Sequence, residues 1–122
     1  MEKKELNFGI IGSGFMGSTH AFGISIANRV FDLPYNLCLK KIADVSDTLA
    51  SRAAEELSVP KYTSDWKELV QDSSIDVINI TSPNALHKEM ALAAIEAGKH
   101  VYCEKPLSTS VSEAKEMYDA VK

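Results

Sequence analysis

At 122 residues the chain has room for one core and one domain, and too little for a two-domain dehydrogenase. Its 45% hydrophobic and 25% charged residues are ordinary for a soluble globular protein, and a net charge of −4 leaves no basic footprint for nucleic acid. No apolar run approaches a membrane span and the polar amino terminus lacks a signal-type core, while Cys38 and Cys103, in no metal spacing, predict buried free thiols in a reducing cytoplasm and no metal site.

The first predicted element is a strand over 6–11, almost continuously apolar as a strand buried on both faces should be. It runs into Gly12-Ser13-Gly14-Phe15-Met16-Gly17, a G-x-G-x-x-G turn, and then into a helix. In that context the glycines play different parts. Gly12 turns the chain sharply, Gly14 removes a Cβ that would hold a pyrophosphate off the backbone, and Gly17 lets helix and strand approach. The free N–H groups and positive dipole end of the new helix face the anion. The helix carries Phe15, Met16, Ala21, Phe22, Ile24, Ile26 and Ala27, apolar nearly all round, which predicts cover on more than one side and an end before Pro34.

A second strand over 37–43 ends at Asp44, and a helix over 47–57 presents Leu49, Ala50, Ala53, Ala54 and Leu57. Pro60 stops that pattern before a short edge strand at 61–63. Ser64 or Asp65 caps a brief helix through Trp66, Leu69 and Val70, with Glu68 placed for a capping box on Asp65. A β-branched strand follows over 75–80, then a loop at 81–84 and a helix from Asn84 or Ala85 that packs through Leu86, Met90, Ala93, Ala94 and Ala97 and ends at Gly98. After a strand over 100–103, Ser110 to Glu113 reads as a capping box opening a last helix with Val111, Ala114, Tyr118 and Val121 on its inner face.

This alternation predicts an α/β fold: a doubly wound, Rossmann-like parallel sheet in order 3-2-1-4-5 with helices on both faces. Residues 1–122 then form one dinucleotide-binding domain lacking its last strand. Ligands of such sheets bind past the carboxyl ends of the strands, where the glycine turn, Asp44, the loop after Ile80 and Glu104–Lys105 all arrive. Asp44 stands where a carboxylate accepts from the adenosine ribose hydroxyls and repels a 2′-phosphate. Val45 and Ser46 supply no arginine, so NAD is expected over NADP. The competing reading makes Asp44 a helix cap, a role Ser46 and Asp47 can also fill. His20 is expected to be packed or hydrogen-bonded, His100 structural, Cys103 an inert thiol, and His87 either a cofactor contact or a cap.

The stretch Ala97-Gly98-Lys99-His100-Val101-Tyr102-Cys103-Glu104-Lys105-Pro106-Leu107, A-G-K-H-V-x-x-E-K-P-L, resembles the signature of the Gfo/Idh/MocA family, the glucose–fructose oxidoreductase and inositol dehydrogenase group. The glycine turn with His20-Ala21, Ala43-Asp44, and Ser82-Pro83-Asn84 with His87 match it as well, so the resemblance runs from about Leu6 to the last residue. It implies an amino-terminal NAD(P)-binding domain whose carboxy-terminal partner domain, absent from these residues, forms most of the substrate pocket and the homo-oligomer contacts. It places Gly12, Gly14, Phe15, Met16, Gly17, Asp44, Thr81, Ser82, Pro83, Asn84, His87, Glu104, Lys105 and Pro106 against the cofactor. Lys105 is the implied catalytic residue, reaching the reacting hydroxyl or carbonyl of a sugar- or polyol-like substrate. An ammonium there polarises a carbonyl oxygen as hydride arrives. The alternative is a non-catalytic NAD-binding or regulatory module, and Lys105 separates the two, since a pure binder needs no ammonium at the nicotinamide end. Taken alone, the chain is expected to bind NAD weakly, turn nothing over, and self-associate through an exposed sheet edge.

Overall fold

The computed structural model describes residues 3–122. In chain order the elements are β1 (Lys4–Ile11), α1 (Phe15–Val30), β2 (Tyr35–Ala43), α2 (Asp47–Glu56), β3 (Lys61–Thr63), α3 (Trp66–Gln71), β4 (Val77–Ile80), a 3-10 turn (Asn84–Leu86), α4 (His87–Glu96), β5 (His100–Cys103) and α5 (Val111–Ala120). The five strands of the described residues form one sheet in order β3-β2-β1-β4-β5, every pair parallel. The expected doubly wound order is therefore present, with the switch of direction between β1 and β4.

Alternation along the strands divides the core in two. Ile11, Ala43, Ile78 and Ile80 meet Leu69, Val70, Met90, Ala94 and Met117 on one side. Ile10 and Ile42 meet Ala21, Ile24, Ala53, Ala54 and Val59 on the other. Only the last three residues of β1 and of β2 are buried. The sheet is deepest where it delivers residues to its ligand edge, and β1 is less uniformly buried than its apolar sequence predicts.

Several local expectations need correcting. α1 is covered on one side only: Gly17, Ala21 and Ile24 are buried, while Phe22 (64% exposed), Ile26 and Val30 form an open apolar stripe. On α5 the inward residue is Met117, and Val111, Tyr118 and Val121 all face outward. The 3.6-residue period allows either stripe, and the one that meets α4 and β5 is the stripe through Met117. Leu86 is likewise exposed, because α4 begins through a 3-10 turn that rotates it away from the core.

Both capping boxes are half formed. Asp65 accepts Lys67 N–H and Ser110 accepts Glu113 N–H, but neither glutamate reaches back to its cap. Glu68 instead accepts from Thr63 Oγ1 at 3.0 Å and from the Lys41 ammonium at 2.9 Å. Lys41 is a buried strand residue that also reaches Asp72 at 3.3 Å, and a buried ammonium outcompetes a backbone N–H for the carboxylate. Glu113 bonds the Thr109 hydroxyl.

Candidate functional site

The site starts at the end of β1. Gly12 takes φ +101°, a left-handed conformation that L side chains resist, and a Cβ there would lie 2.9 Å from the Thr81 backbone. Gly17 is tighter: a Cβ on it would stand 2.0 Å from the Gly12 carbonyl oxygen, so helix and turn touch only because that position is glycine. Gly14 is the opposite case, with no protein atom within 4 Å of where its Cβ would be. Packing gives no reason for a bare backbone there beyond the mild preference of an N-cap for glycine, and close approach of a ligand does. Gly14 is also the N-cap of α1, with no side-chain cap and no acidic residue in the first turn. The 16-residue helix thus offers unpartnered N–H groups and an uncompensated positive end to an anion, and the turn fits a dinucleotide pyrophosphate.

Asp44 stands across the turn at the end of β2. Its Oδ2 accepts Ser13 N–H at 3.1 Å and the Ser13 hydroxyl, and its Oδ1 accepts Val45 N–H at 2.7 Å. Ser46 caps α2 through Leu49 N–H, so the capping reading of Asp44 is displaced and its carboxylate belongs to the mouth of the turn. Asp44, Val45, Trp66, Pro83, Leu86 and Met90 help to line a largely apolar cleft of about 320 Å³. A shallower groove of about 630 Å³ runs along Ser13, Gly14, Phe15, Met16, Thr81 and Pro83. Phe15 projects into solvent with 83% of its surface exposed.

The loop after β4 forms the opposite wall. Thr81 is committed to holding the turn: its hydroxyl faces the carbonyl oxygens of Ile11 (3.0 Å) and Gly12 (2.8 Å). Ser82 Oγ contacts Met90 Sδ, while Pro83 and Asn84 are exposed at the rim. His87 is neither a cap nor an exposed contact. It is 1% exposed, with Nδ1 2.9 Å from the Pro106 carbonyl and Nε2 2.8 Å from the Ser82 carbonyl. It braces the loop after β4 against the loop after β5. A neutral ring carries one N–H, so both contacts are donations only in the imidazolium.

Glu104 and Lys105 complete the edge. Glu104 N–H extends the sheet ladder to Ile80 O at 2.9 Å, so the turn leaves directly from the strand end. Glu104 Oε2 pairs with His20 Nε2 at 2.8 Å and Oε1 accepts Lys105 N–H at 3.1 Å. The His20 hydrogen bond is the main reason the carboxyl is held below its usual range, with the Lys105 bond second. The Lys105 ammonium is exposed and forms no ion pair among the described residues, and Pro106 beside it is exposed too. Cys103 is inert, since burial pushes its thiol up to about 11. Among the described residues no group of three potential metal ligands comes together.

All the residues expected at the site therefore arrive at one sheet edge, though with different freedom. Gly14, Phe15, Asp44, Pro83, Asn84 and Lys105 are open to a ligand, whereas Gly12, Gly17, Thr81 and His87 shape the walls. The network of His20 and Asn79 beneath Glu104 lies beyond what the sequence pattern reaches. Glu104 and Asn79 are 84 and 59 residues from His20 along the chain, and no local pattern joins them.

Comparison with known proteins agrees with this fold. The family described as "Oxidoreductase family, NAD-binding Rossmann fold" (GFO_IDH_MocA) matches residues 6–122. Levoglucosan dehydrogenase of Pseudarthrobacter phenanthrenivorans is 44% identical over 120 residues, covering 98% of this chain and 31% of that protein. A solved levoglucosan dehydrogenase in complex with NADH superposes with a TM-score of 0.95 at 44% identity, over 97% of this chain and 32% of the other. An NAD-binding oxidoreductase from Klebsiella pneumoniae gives 0.93 at 50% identity, over 95% and 31%. Myo-inositol 2-dehydrogenase of Thermotoga maritima is 31% identical over 96% of this chain and 33% of its own length. The chain spans about a third of the length of the curated relatives it matches.

Proposed function

The chain belongs to the Gfo/Idh/MocA oxidoreductase family, and from that premise we propose that it is the NAD-binding part of an enzyme that moves hydride between a nicotinamide cofactor and a hydroxyl or carbonyl of a sugar, polyol or related small molecule. The observation that carries this reading is the shared carboxyl edge: a glycine turn bare at Gly14, the Asp44 carboxylate across it and a Lys105 ammonium with no ion pair among the described residues, each on a different strand end. A sugar-like substrate is supported by the levoglucosan and inositol dehydrogenases among the relatives. Homo-oligomerisation through residues beyond this domain is part of the same reading.

In the proposed mechanism the turn and the first N–H groups of α1 bind the pyrophosphate. Asp44 accepts from the adenosine ribose, and its charge, with Val45 and Ser46 beside it, disfavours a 2′-phosphate. The bound cofactor supplies the hydride acceptor or donor. Lys105 holds the substrate oxygen, its N–H groups stabilising the charge that develops there as the C–H bond breaks or forms. Ser13 takes part in this division of labour. It already occupies Asp44 Oδ2, so its hydroxyl must turn aside or join the ribose contact when a diol arrives.

Calorimetric titration of the chain with NADH and NADPH tests the cofactor assignment. NADH is expected to bind more tightly, and Asp44→Ala to erode the preference, the loss bounded by two charged hydrogen bonds of about 1.5–3 kcal/mol each. Equal affinities in the unmodified chain would overturn it. The catalytic assignment is tested in an active protein containing this domain, where Lys105→Met lowers kcat by orders of magnitude and leaves NADH affinity nearly unchanged. Retained turnover would overturn the assignment of Lys105 to the chemistry.

A further inference from the structure

Beneath the Glu104–Lys105 turn lies a line of three polar side chains drawn from three elements: Asn79 on β4, His20 on α1 and Glu104 after β5. Asn79 is 4% exposed, and its Nδ2 donates to His20 Nδ1 over 3.1 Å. With Nδ2 facing it, Nδ1 is the acceptor, which assigns the proton of the neutral ring to Nε2, 2.8 Å from Glu104 Oε2. The other Glu104 oxygen accepts Lys105 N–H at 3.1 Å. Tyr102 meets the imidazole edge-on, ring centroids 5.1 Å apart and planes at 84°, which fixes the plane of the ring.

Asn79 Oδ1 is buried without a hydrogen-bond partner. For the fold alone an apolar side chain of similar size would serve better, because a buried carbonyl left unpaired costs stability. What the amide does there, and a leucine could not, is select one tautomer of His20. Glu104 would otherwise sample several rotamers at the rim, yet it is held at both oxygens.

We propose that Asn79 and His20 are positioning residues that fix the rotamer of Glu104 and, through its grip on the Lys105 amide, aim the Lys105 ammonium at the nicotinamide end of the site. The inference rests on the reading that Lys105 addresses the reacting oxygen. It also makes α1 a two-ended element. Its amino end cradles the pyrophosphate, and three residues beyond Gly17 its side chain holds the turn that bears the ammonium.

The test is nuclear magnetic resonance on the chain with and without NADH. In the unmodified chain the His20 nitrogens are expected to show the Nε2–H tautomer, and Asn79→Leu to give a mixture of tautomers. With NADH present, His20→Phe keeps saturation transfer to the adenine protons but lowers transfer to the nicotinamide protons by at least about twofold, and the Lys105 amide resonance moves. His20→Gln, which restores one donor, recovers part of both signals. Should the phenylalanine variant fail to fold, Asn79→Leu and His20→Gln carry the test. An Nδ1–H tautomer in the unmodified chain overturns the inference. So do an unchanged nicotinamide signal and Lys105 amide in the variants that fold. Failure of the unmodified chain to bind NADH at all strikes first at the functional reading, and the inference falls with it.

Discussion

Gly14 and Gly17 are three residues apart in one motif, and they answer to different constraints. A Cβ on Gly17 would collide with a backbone oxygen that cannot swing away. Gly17→Ala is therefore expected to cost about 1–3 kcal/mol of stability, as overpacking does. A Cβ on Gly14 meets nothing, and alanine at this N-cap costs no more than about 1 kcal/mol. The two variants should separate in paired measurements. Urea unfolding shows Gly17→Ala clearly destabilised and Gly14→Ala close to the unmodified chain, whereas NADH titration shows Gly14→Ala weakened although its fold is intact. Unchanged affinity in Gly14→Ala would remove the case for a pyrophosphate at that turn. Residue types at short spacing are legible here, because the turn, its strand and its helix are contiguous. The partners of His20 and His87 are not, since what a histidine does depends on which backbone or carboxylate the fold brings to it.

Between elements, the connection of β2 to α3 shows what a pattern of apolar residues leaves out. The strand over 37–43 is readable from Leu37, Leu39 and Ile42, but the same strand carries Lys41, 7% exposed, with Glu68 and Asp72 around its ammonium. Burial alone would push Lys41 down, and the two carboxylates more than reverse it. Asp72 is held down to about 2 from an ordinary 3.8, chiefly by the Ser74 hydroxyl and then the Ser74 N–H, with Lys41 adding to it against burial. A depressed carboxyl stabilises the fold above its unfolded value and loses that contribution as pH falls through its folded value. The window is therefore pH 3.8 down to about 2. The carboxylate remains 20% exposed, so solvent screening keeps the contribution below about 2 kcal/mol. Urea unfolding should show Asp72→Asn well below the unmodified chain at neutral pH, with the gap closing as the pH approaches 2. A gap independent of pH would refute the assignment. The correction to the inner face of α5 has a related cause. Period alone admits a stripe through Val111 and Tyr118 or one through Met117, and only the neighbours α4 and β5 decide.

At the scale of the whole molecule the strand order is legible, because the glycine turn marks β1 and right-handed crossovers leave few ways to arrange the rest. What the chain leaves uncovered is less legible. The apolar pattern of α1 predicts enclosure, yet Phe22, Ile26 and Val30 lie open on it, and Tyr118 and Val121 lie open beside the β5 edge. Two separate apolar surfaces on a 122-residue chain predict concentration-dependent association. Sedimentation should show average mass rising with concentration for the chain alone, and Phe22→Ser with Ile26→Ser should lower it if α1 is the sticky face. A monomer at all concentrations would contradict the expectation.

His87 has a consequence for motion. One ring joins the Ser82 and Pro106 carbonyls, and so ties the wall beside the cleft to the turn that carries Lys105. Neither loop can lift off while the other stays seated unless the ring gives up a contact. The two segments are therefore expected to open together, and hydrogen exchange should report a single opening free energy at the hydrogen-bonded amides of Leu86 and Lys105. His87→Ala should split that value in two.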